Sequence, residues 1–519
     1  LIVQGVAGSG KTSVALHRIA FLLYQGLNLK LKSNNIVIIS PNNLFSKYIS
    51  EVLPELGEED VEELTFENIF SRIFENKIQI KPRSQLYEQI ICEESEEKKQ
   101  FLRSYAEFKG SSVFMEIIDR YIKYFERKMI PFEDVYFNGK TIETSHLSKA
   151  LILSGKLDMP TAKKLKIIES RILDKVNDSK KERREKIEKI VTNSSKHQFE
   201  VKSFTRVLSA KEVYAFIEKI HKFTEFNCYK LYKTLFRNKN IFYKISKGLE
   251  LPENIDKIID YTNENISNPL NLPYSDGIAL LYFRIKFEGC DLFSSIKQVV
   301  IDEAQDYFPM HYKILNLLFR EARYTVVGDI NQAVEKESDL SIYNEITSIF
   351  NKRKSNILYL TKSYRSSYEI NKFSQKLIKD IVDTEFFKRN ESKPEIIHEI
   401  SKDELNKKIV MDIENYKYQG FDSVAVVVKS REDAINLYNE LKVQTDIKLI
   451  DYMGNESMSG AVIIPVYMAK GLEFDAVMVY GADNLRYNTE FDKKLLYIAC
   501  TRALHRLSLY YTGDISRFL

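Results

Sequence analysis

The stretch Gly5-Val6-Ala7-Gly8-Ser9-Gly10-Lys11-Thr12 decides how this chain is read. It follows the apolar run Leu1 to Val3 and precedes Val14, Leu16, Ile19, Ala20 and Leu23, which are spaced as one face of a helix. A G-x-x-x-x-G-K-[ST] run between a strand and a helix has a mechanism. Its backbone N–H groups close around phosphate oxygens, and the helix N-terminus adds partial positive charge. Gly5, Gly8 and Gly10 then shape the loop, and Lys11 reaches the β- and γ-phosphates. Thr12 places its hydroxyl on Mg²⁺, and Ser13 joins the binding set. The competing reading is a glycine-rich turn that happens to precede a helix.

A second stretch argues against that plainer reading. Gln298-Val299-Val300-Ile301 has the continuous apolar character of a buried strand and runs straight into Asp302-Glu303-Ala304-Gln305-Asp306. Ligands collect at the carboxyl ends of parallel strands, so two adjacent acids there are the natural partner of a phosphate loop. Asp302 is expected to hold Mg²⁺ and Glu303 to orient and deprotonate an attacking water. The strand Tyr324 to Val327 ends in Gly328-Asp329-Ile330-Asn331-Gln332, which puts an amide beside the same edge. Nucleotide hydrolysis is expected, with ATP and Mg²⁺ as the bound species.

The totals set wide bounds. In 519 residues, 44% hydrophobic and 29% charged, there is material for several buried cores. The formal net charge of +4 permits a nucleic-acid partner without arguing for one. Cys92, Cys228, Cys290 and Cys500 stand far apart, so neither a zinc site nor a disulfide framework is indicated, and a cytoplasmic setting is expected. No apolar run is long enough to span a bilayer. The chain opens at Leu1 without a Met, and the expectation is a piece of a longer protein whose N-terminal part lies upstream.

Along the chain, Asn35 to Ser40 reads as a buried strand. Pro41-Asn42-Asn43 starts a helix through Leu44, Tyr48, Ile49, Val52 and Leu53, and Leu64 to Phe74 gives a further strand and helix. This is the opening of a doubly wound α/β sheet. From about Arg83 to Asn271 the pattern is mostly helical, charged and rich in Tyr and Phe. Within it, Asp174 to Lys189 reads either as a solvated, ion-paired helix or as a phosphate-contacting one. After Gln332 come a strand at Asn356 to Leu360, Tyr364-Arg365, and a helical stretch from Tyr368 to Ile381. A second α/β unit follows. It has strands at Ser423 to Val428, Ala461 to Tyr467, Ala476 to Tyr480 and Arg506 to Tyr511, and helices at Glu432 to Lys442 and Lys493 to Ala503.

Taken in order, six motifs resemble the UvrD/Rep group of superfamily 1 helicases. They are the phosphate loop, Val300 to Asp306, Gly328 to Gln332, Tyr364-Arg365-Ser366, Lys470-Gly471-Leu472-Glu473-Phe474-Asp475 and Tyr497 to Ala503. The resemblance implies two RecA-like P-loop lobes with ATP in the cleft between them. Gln332 would contact the γ-phosphate, Tyr364 would stack on adenine and Glu473 would meet the ribose. Arg365 and Arg502 would act as arginine fingers. The implied segments are 1–84 and 270–352 for the first lobe, 85–269 for a helical arm-like insertion, and 353–519 for the second lobe.

Three departures narrow the resemblance. Duplex-unwinding relatives continue the Gly-Asp-x-x-Gln motif into Tyr-x-Trp-Arg, where this chain has Ala333-Val334-Glu335-Lys336-Glu337 and no Trp anywhere. Their Thr-Phe-Thr-Asn segment is replaced by Ser40-Pro41-Asn42-Asn43. They also carry a large domain before the Lys-Gly-Leu-Glu-Phe-Asp motif, whereas Ile381 to Ser423 leaves room only for a short connection. Ile39 to Gly57, Ala279 to Tyr282 and Gly328 to Ala333 are similar to the HelD group, ATP-driven factors that release RNA polymerase from stalled or post-termination complexes. That resemblance implies core RNA polymerase as partner, weak or indirect DNA contact, no membrane and a monomeric state. A 3′ to 5′ DNA helicase or translocase is the alternative enzyme, and a nucleotide-gated scaffold without turnover is the alternative of another class.

Overall fold

The computed structural model describes residues 1–26, 31–41, 61–154, 159–194, 199–333, 340–352, 354–378, 384–451 and 459–519. The helix expected through Leu44 to Leu53 and the run Val334 to Glu337 lie outside these residues. Two compact units are present. Unit 1 comprises 1–109, 269–275 and 293–519, and unit 2 comprises 110–268 and 276–292.

Unit 1 is α/β and contains two six-stranded sheets whose strands pair in parallel. The first sheet uses β1 (Ile2–Gly5), β2 (Ile36–Ile39) and β3 (Glu62–Leu64). Unit 2 contributes the hairpin β4 (Val135–Phe137) and β5 (Lys140–Glu143). The first sheet then resumes with β6 (Gln298–Ile301), β7 (Arg323–Gly328) and β8 (Ile357–Leu360), in the order β3-β2-β6-β7-β1-β8. Runs such as Ile-Val-Ile-Ile and Gln-Val-Val-Ile are buried along their whole length, as strands covered on both faces require. The helix Lys11–Gly26 covers one face, and Leu16 and Ile19 pack there with Val3, Ile38, Val300 and Val327.

β9 (Lys362–Ser363) and β10 (Glu385–Phe386) form a short parallel pair. The second large sheet uses β11 (Glu395–His398), β12 (Ser423–Val428), β13 (Ile447–Leu449), β14 (Gly460–Pro465), β15 (Phe474–Tyr480) and β16 (Ala503–Tyr511). Its order is β11-β16-β15-β12-β14-β13. Helices Arg431–Leu441 and Glu490–Cys500 start at capping boxes, Ser430 with Asp433 and Thr489 with Asp492, which satisfy first-turn N–H groups.

Several expectations change in detail. β8 pairs with β1 and is an edge of the first sheet, although the second lobe was expected from 353. A four-residue strand of this kind carries no mark of which sheet edge it will join. The helix expected from Tyr368 to Ile381 ends at Gln375. The one expected to run to Ala503 ends at Cys500, leaving Thr501 and Arg502 in the turn before β16. The stretch expected to be a mere connection before Ser423 holds β11 and the helix Lys402–Tyr418. Residues 85–109, expected within the insertion, cluster with unit 1. There Tyr87 and Ile91 of the helix Arg83–Cys92 join the apolar cluster of Val462, Ile464, Val477 and Leu496.

Unit 2 is mostly helical, with the long helices Thr161–Thr192 and Val201–Thr224. Its charged stretch Asp174 to Lys189 lies in the first of these, where Arg183 pairs with Glu212 at 2.7 Å and Lys186 with Glu182 at 3.3 Å. Among the described residues no helix is long and apolar enough to cross a membrane.

Candidate functional site

β1, β7 and β6 are neighbours in the first sheet, so the loops that leave their carboxyl ends converge. The loop after β1 turns through Gly8 at φ 72° and Gly10 at φ 79°, in the left-handed region that glycine adopts without steric cost. Gly8 also needs its bare Cα. A Cβ there would stand 2.7 Å from both Arg365 Cβ and Ser363 Oγ. Lys11 Nζ closes over the loop, donating to the carbonyls of Gly5 at 2.9 Å and Val6 at 3.0 Å, with Asp329 Oδ2 at 3.9 Å.

β6 delivers Asp302, whose Oδ2 accepts from Thr12 Oγ1 at 3.1 Å. Glu303 follows at φ 47°, an uncommon backbone state for a non-glycine residue and one that tends to accumulate at functional sites. Its Oε2 accepts from Gln305 Nε2 at 2.5 Å, and Gln305 Oε1 in turn accepts from the Asp329 N–H at 2.8 Å. Past β7, Gln332 donates through Nε2 to Asp329 Oδ2 at 2.8 Å. Its side-chain oxygen accepts from Arg502 Nη2 at 2.7 Å.

Burial sets the electrostatics. Burial first, and the neighbouring Glu303 second, push the Asp302 carboxyl up to about 7. Burial would raise Glu303 too. The charges of Lys470, Arg502 and Lys11 outweigh it and hold Glu303 below the usual Glu value. One acid thus holds its proton more tightly than an ordinary carboxyl, and the other stays ionised.

From the second lobe, Arg365 pairs with Glu473, and Tyr364 donates its N–H to the Gly8 carbonyl at 2.9 Å. Tyr364 is 54% exposed, and its ring lies 5.9 Å from that of Phe387, with Lys362 Nζ 5.6 Å from its centroid. Arg502 is 1% exposed and held by the carbonyls of Ile498 and Leu472. A cleft is lined by the loop from Gly8 to Thr12, by Asp302, Glu303 and Gln332, and by Arg365, Gly471 and Arg502. Tyr364, Glu473 and Gly5 stand outside this lining. Ser13 is exposed on the first turn of its helix and also stands outside it.

The residues present suit a magnesium nucleotide. Ser9 Oγ is buried at the loop with no hydrogen-bond partner among the described residues, and a helix N-terminus opens directly behind it. Thr12 and Asp302 supply the hydroxyl and single carboxylate with which Mg²⁺ is commonly held beside phosphates. Among the described residues there is no cluster of His, Cys, Asp or Glu that would form a metal cage by itself.

Two other residues acquire roles that the sequence motifs left blank. Lys470 Nζ crosses from the second lobe to Asp306 Oδ1 at 2.5 Å and to the Gln332 carbonyl at 2.7 Å, with its side chain 5% exposed. Arg83 donates to the Asp306 carbonyl, with its guanidinium over the rings of Tyr87, Tyr274 and Tyr307. Lys470 could have been suspected from its place in a quoted motif. Arg83 carried no signal.

Residues 1–350 match the UvrD/REP helicase N-terminal domain, and residues 460–510 match the UvrD-like helicase C-terminal domain. A solved C-terminal domain of a possible DNA helicase from Lactobacillus plantarum WCFS1 is 27% identical, covering 30% of this chain and 91% of its own, with a TM-score of 0.27. Among curated proteins there is no match. With a phosphate loop, an acid-bearing strand end and this family match over most of its length, the chain belongs to the UvrD/REP helicase family and is a nucleotide-hydrolysing P-loop enzyme.

Proposed function

We propose that this chain is the ATPase body of a HelD-type motor, which releases RNA polymerase from stalled or post-termination complexes. The distribution of inserted mass carries this reading. The first lobe is interrupted by a whole compact unit, 110–268 with 276–292. In the second lobe, β14 ends at Pro465 and the chain reaches Lys470 within five residues, so no large domain stands directly before that motif. The absence of Trp supports the same view. A stacking platform for single strands is worth about 1 to 3 kcal/mol per base, and its loss weakens the grip that duplex separation needs.

In this reading Lys11 and the loop amides hold the β- and γ-phosphates, while Thr12 and Asp302 would hold Mg²⁺, which would supply charge neutralisation at the phosphate oxygens. Glu303 takes the proton of the attacking water, with its carboxylate aimed by Gln305. Arrival of the nucleotide exchanges partners at the second lobe. Glu473 turns to a ribose hydroxyl and Arg365, released from it, turns to the phosphates beside Arg502. Tyr364 offers its open face to adenine. Closure completes the site, and product release reopens it.

The test is capture of core RNA polymerase by the full chain, with ATP-dependent release of a stalled transcription complex. Single-stranded DNA is expected to stimulate turnover weakly. Robust unwinding of a tailed duplex, without capture of polymerase, would replace this reading with a 3′ to 5′ DNA helicase or translocase.

A further inference from the structure

We infer that Arg389 is a positioning residue for hydrolysis, a staple that fixes the loop of Arg365 to the turn of Arg502. This rests on the reading of Arg365 and Arg502 as the groups that stabilise charge on the transferred phosphoryl. Arg365 sits where the second lobe meets the phosphate loop. The close approach of its Cβ to Gly8 leaves little tolerance, because a shift of its backbone would either open a gap at the loop or collide with it.

The segment from Glu385 to Glu391 pairs with the strand that leads into that loop. The N–H groups of Glu385 and Phe387 donate to the carbonyls of Thr361 and Ser363, and the Tyr368 N–H donates to the Arg389 carbonyl, each at 2.9 Å. From this rail Arg389 Nη2 donates to two carbonyls, those of Arg365 and Leu504, both at 2.7 Å. Leu504 is two residues past Arg502. The same two loops also meet through Ser366 Oγ to the Ala503 carbonyl at 2.6 Å, and through the Ser367 N–H to the Leu504 carbonyl at 3.2 Å. One guanidinium therefore completes a bond between the backbones that present the two candidate fingers.

Glu391 lies beside the staple. Its carboxylate stands 3.1 Å from Arg389 Nε as an ion pair that makes no hydrogen bond there, 2.9 Å from His505 Nδ1 and 3.2 Å from Arg506 Nη1. A planar guanidinium serves this geometry because its donors are fixed relative to one another. A lysine ammonium in the same place is a point charge on a flexible stem.

The experiment compares Arg389→Ala, Arg389→Lys, Glu391→Gln, Arg365→Ala and the double variant Arg389→Ala/Arg365→Ala, by steady-state ATP hydrolysis and by titration with a fluorescent ATP analogue. Arg389→Ala should lower kcat by about 10²-fold, the scale of a misplaced catalytic group, with KM and analogue affinity within about twofold of the parent. The double variant should be no slower than Arg365→Ala alone. Arg389→Lys and Glu391→Gln should fall between parent and Arg389→Ala, and they carry the test if Arg389→Ala does not fold. The inference is overturned by a normal kcat in Arg389→Ala, by equal loss of analogue binding, or by a double variant slower than Arg365→Ala by the full factor. Normal turnover in Arg365→Ala removes the finger reading and the staple together, whereas a dead Arg365→Ala beside a normal Arg389→Ala removes the staple alone. Capture of polymerase is measured separately, so these outcomes leave the proposed motor role to its own test.

Discussion

Arg502 donates to the side-chain oxygen of Gln332 across 2.7 Å, joining a turn of the second lobe to the loop after β7 in the first. Both side chains are buried, at 1% and 3% exposure. An arginine supplied from another element can be worth about 10³ to 10⁵ in phosphoryl transfer. Arg502→Ala should accordingly reduce kcat by at least about 10³-fold while nucleotide affinity changes little. Phosphate release with parallel binding titrations checks this, and a loss confined to KM would assign Arg502 to binding.

Lys11→Ala should abolish ATP turnover, because the loop loses the cation that reaches the phosphates. Glu303→Gln should keep binding and stall hydrolysis, leaving unhydrolysed ATP on the protein. Filter binding followed by nucleotide analysis distinguishes the two, and normal turnover by either variant would contradict the assigned site.

The open face of Tyr364 should be felt in affinity. Base-on-ring stacking is worth about 1 to 3 kcal/mol, so Tyr364→Ala should raise the dissociation constant for ATP by roughly five- to 150-fold, and Tyr364→Phe should leave it nearly unchanged. Equal affinity for ATP in parent and Tyr364→Ala would place adenine elsewhere.

Cys92 reports whether the helix Arg83–Cys92 stays seated on the second lobe. Glu88, on the same helix, accepts from the Arg431 N–H at 2.9 Å and from Tyr467 Oη at 2.7 Å. The Cys92 thiol donates to Glu88 at 3.2 Å. Burial first, then that hydrogen bond, push the thiol up to about 12. The raised value keeps the thiol protonated at pH 8, so the reactive thiolate is scarce there. Iodoacetamide should label Cys92 slowly at pH 8, about tenfold faster for each unit of rising pH, and faster in Glu88→Gln. Labelling at the rate of an unstructured cysteine would mean that the helix is not seated.

Which residues converge in the candidate site was largely legible, because the pattern that places them is local. The phosphate loop, Asp302-Glu303 and Gln332 each end a strand whose run of Val and Ile marks it as buried, and parallel pairing brings those ends together. What could not be read depends on distant segments. Nothing in Phe386-Phe387-Lys388-Arg389 says that Arg389 will reach the carbonyl of Leu504, because that contact is set by how β10 lies against β9. Tyr87 likewise looked like one more aromatic of a charged helical tract. Its place beside Tyr467, with ring centroids 6.0 Å apart, follows only from tertiary packing. β8 has partly exposed Leu358 and Tyr359 and could have edged either sheet.

The buried contact of Lys470 with Asp306 also bears on how easily the two lobes can part. Two opposite charges stripped of water regain their hydration on separation, so such a contact holds little more tightly than an oily one and releases more readily. It works as an address label, not as glue. Replacing both residues by matched aliphatics, Lys470→Met with Asp306→Leu, should leave the enzyme resting shut and slow to let go of ADP, with cleavage itself slowed because Lys470 is the leading charge that keeps Glu303 ionised. A variant that discharged ADP at the parental pace would show that this junction does not govern reopening.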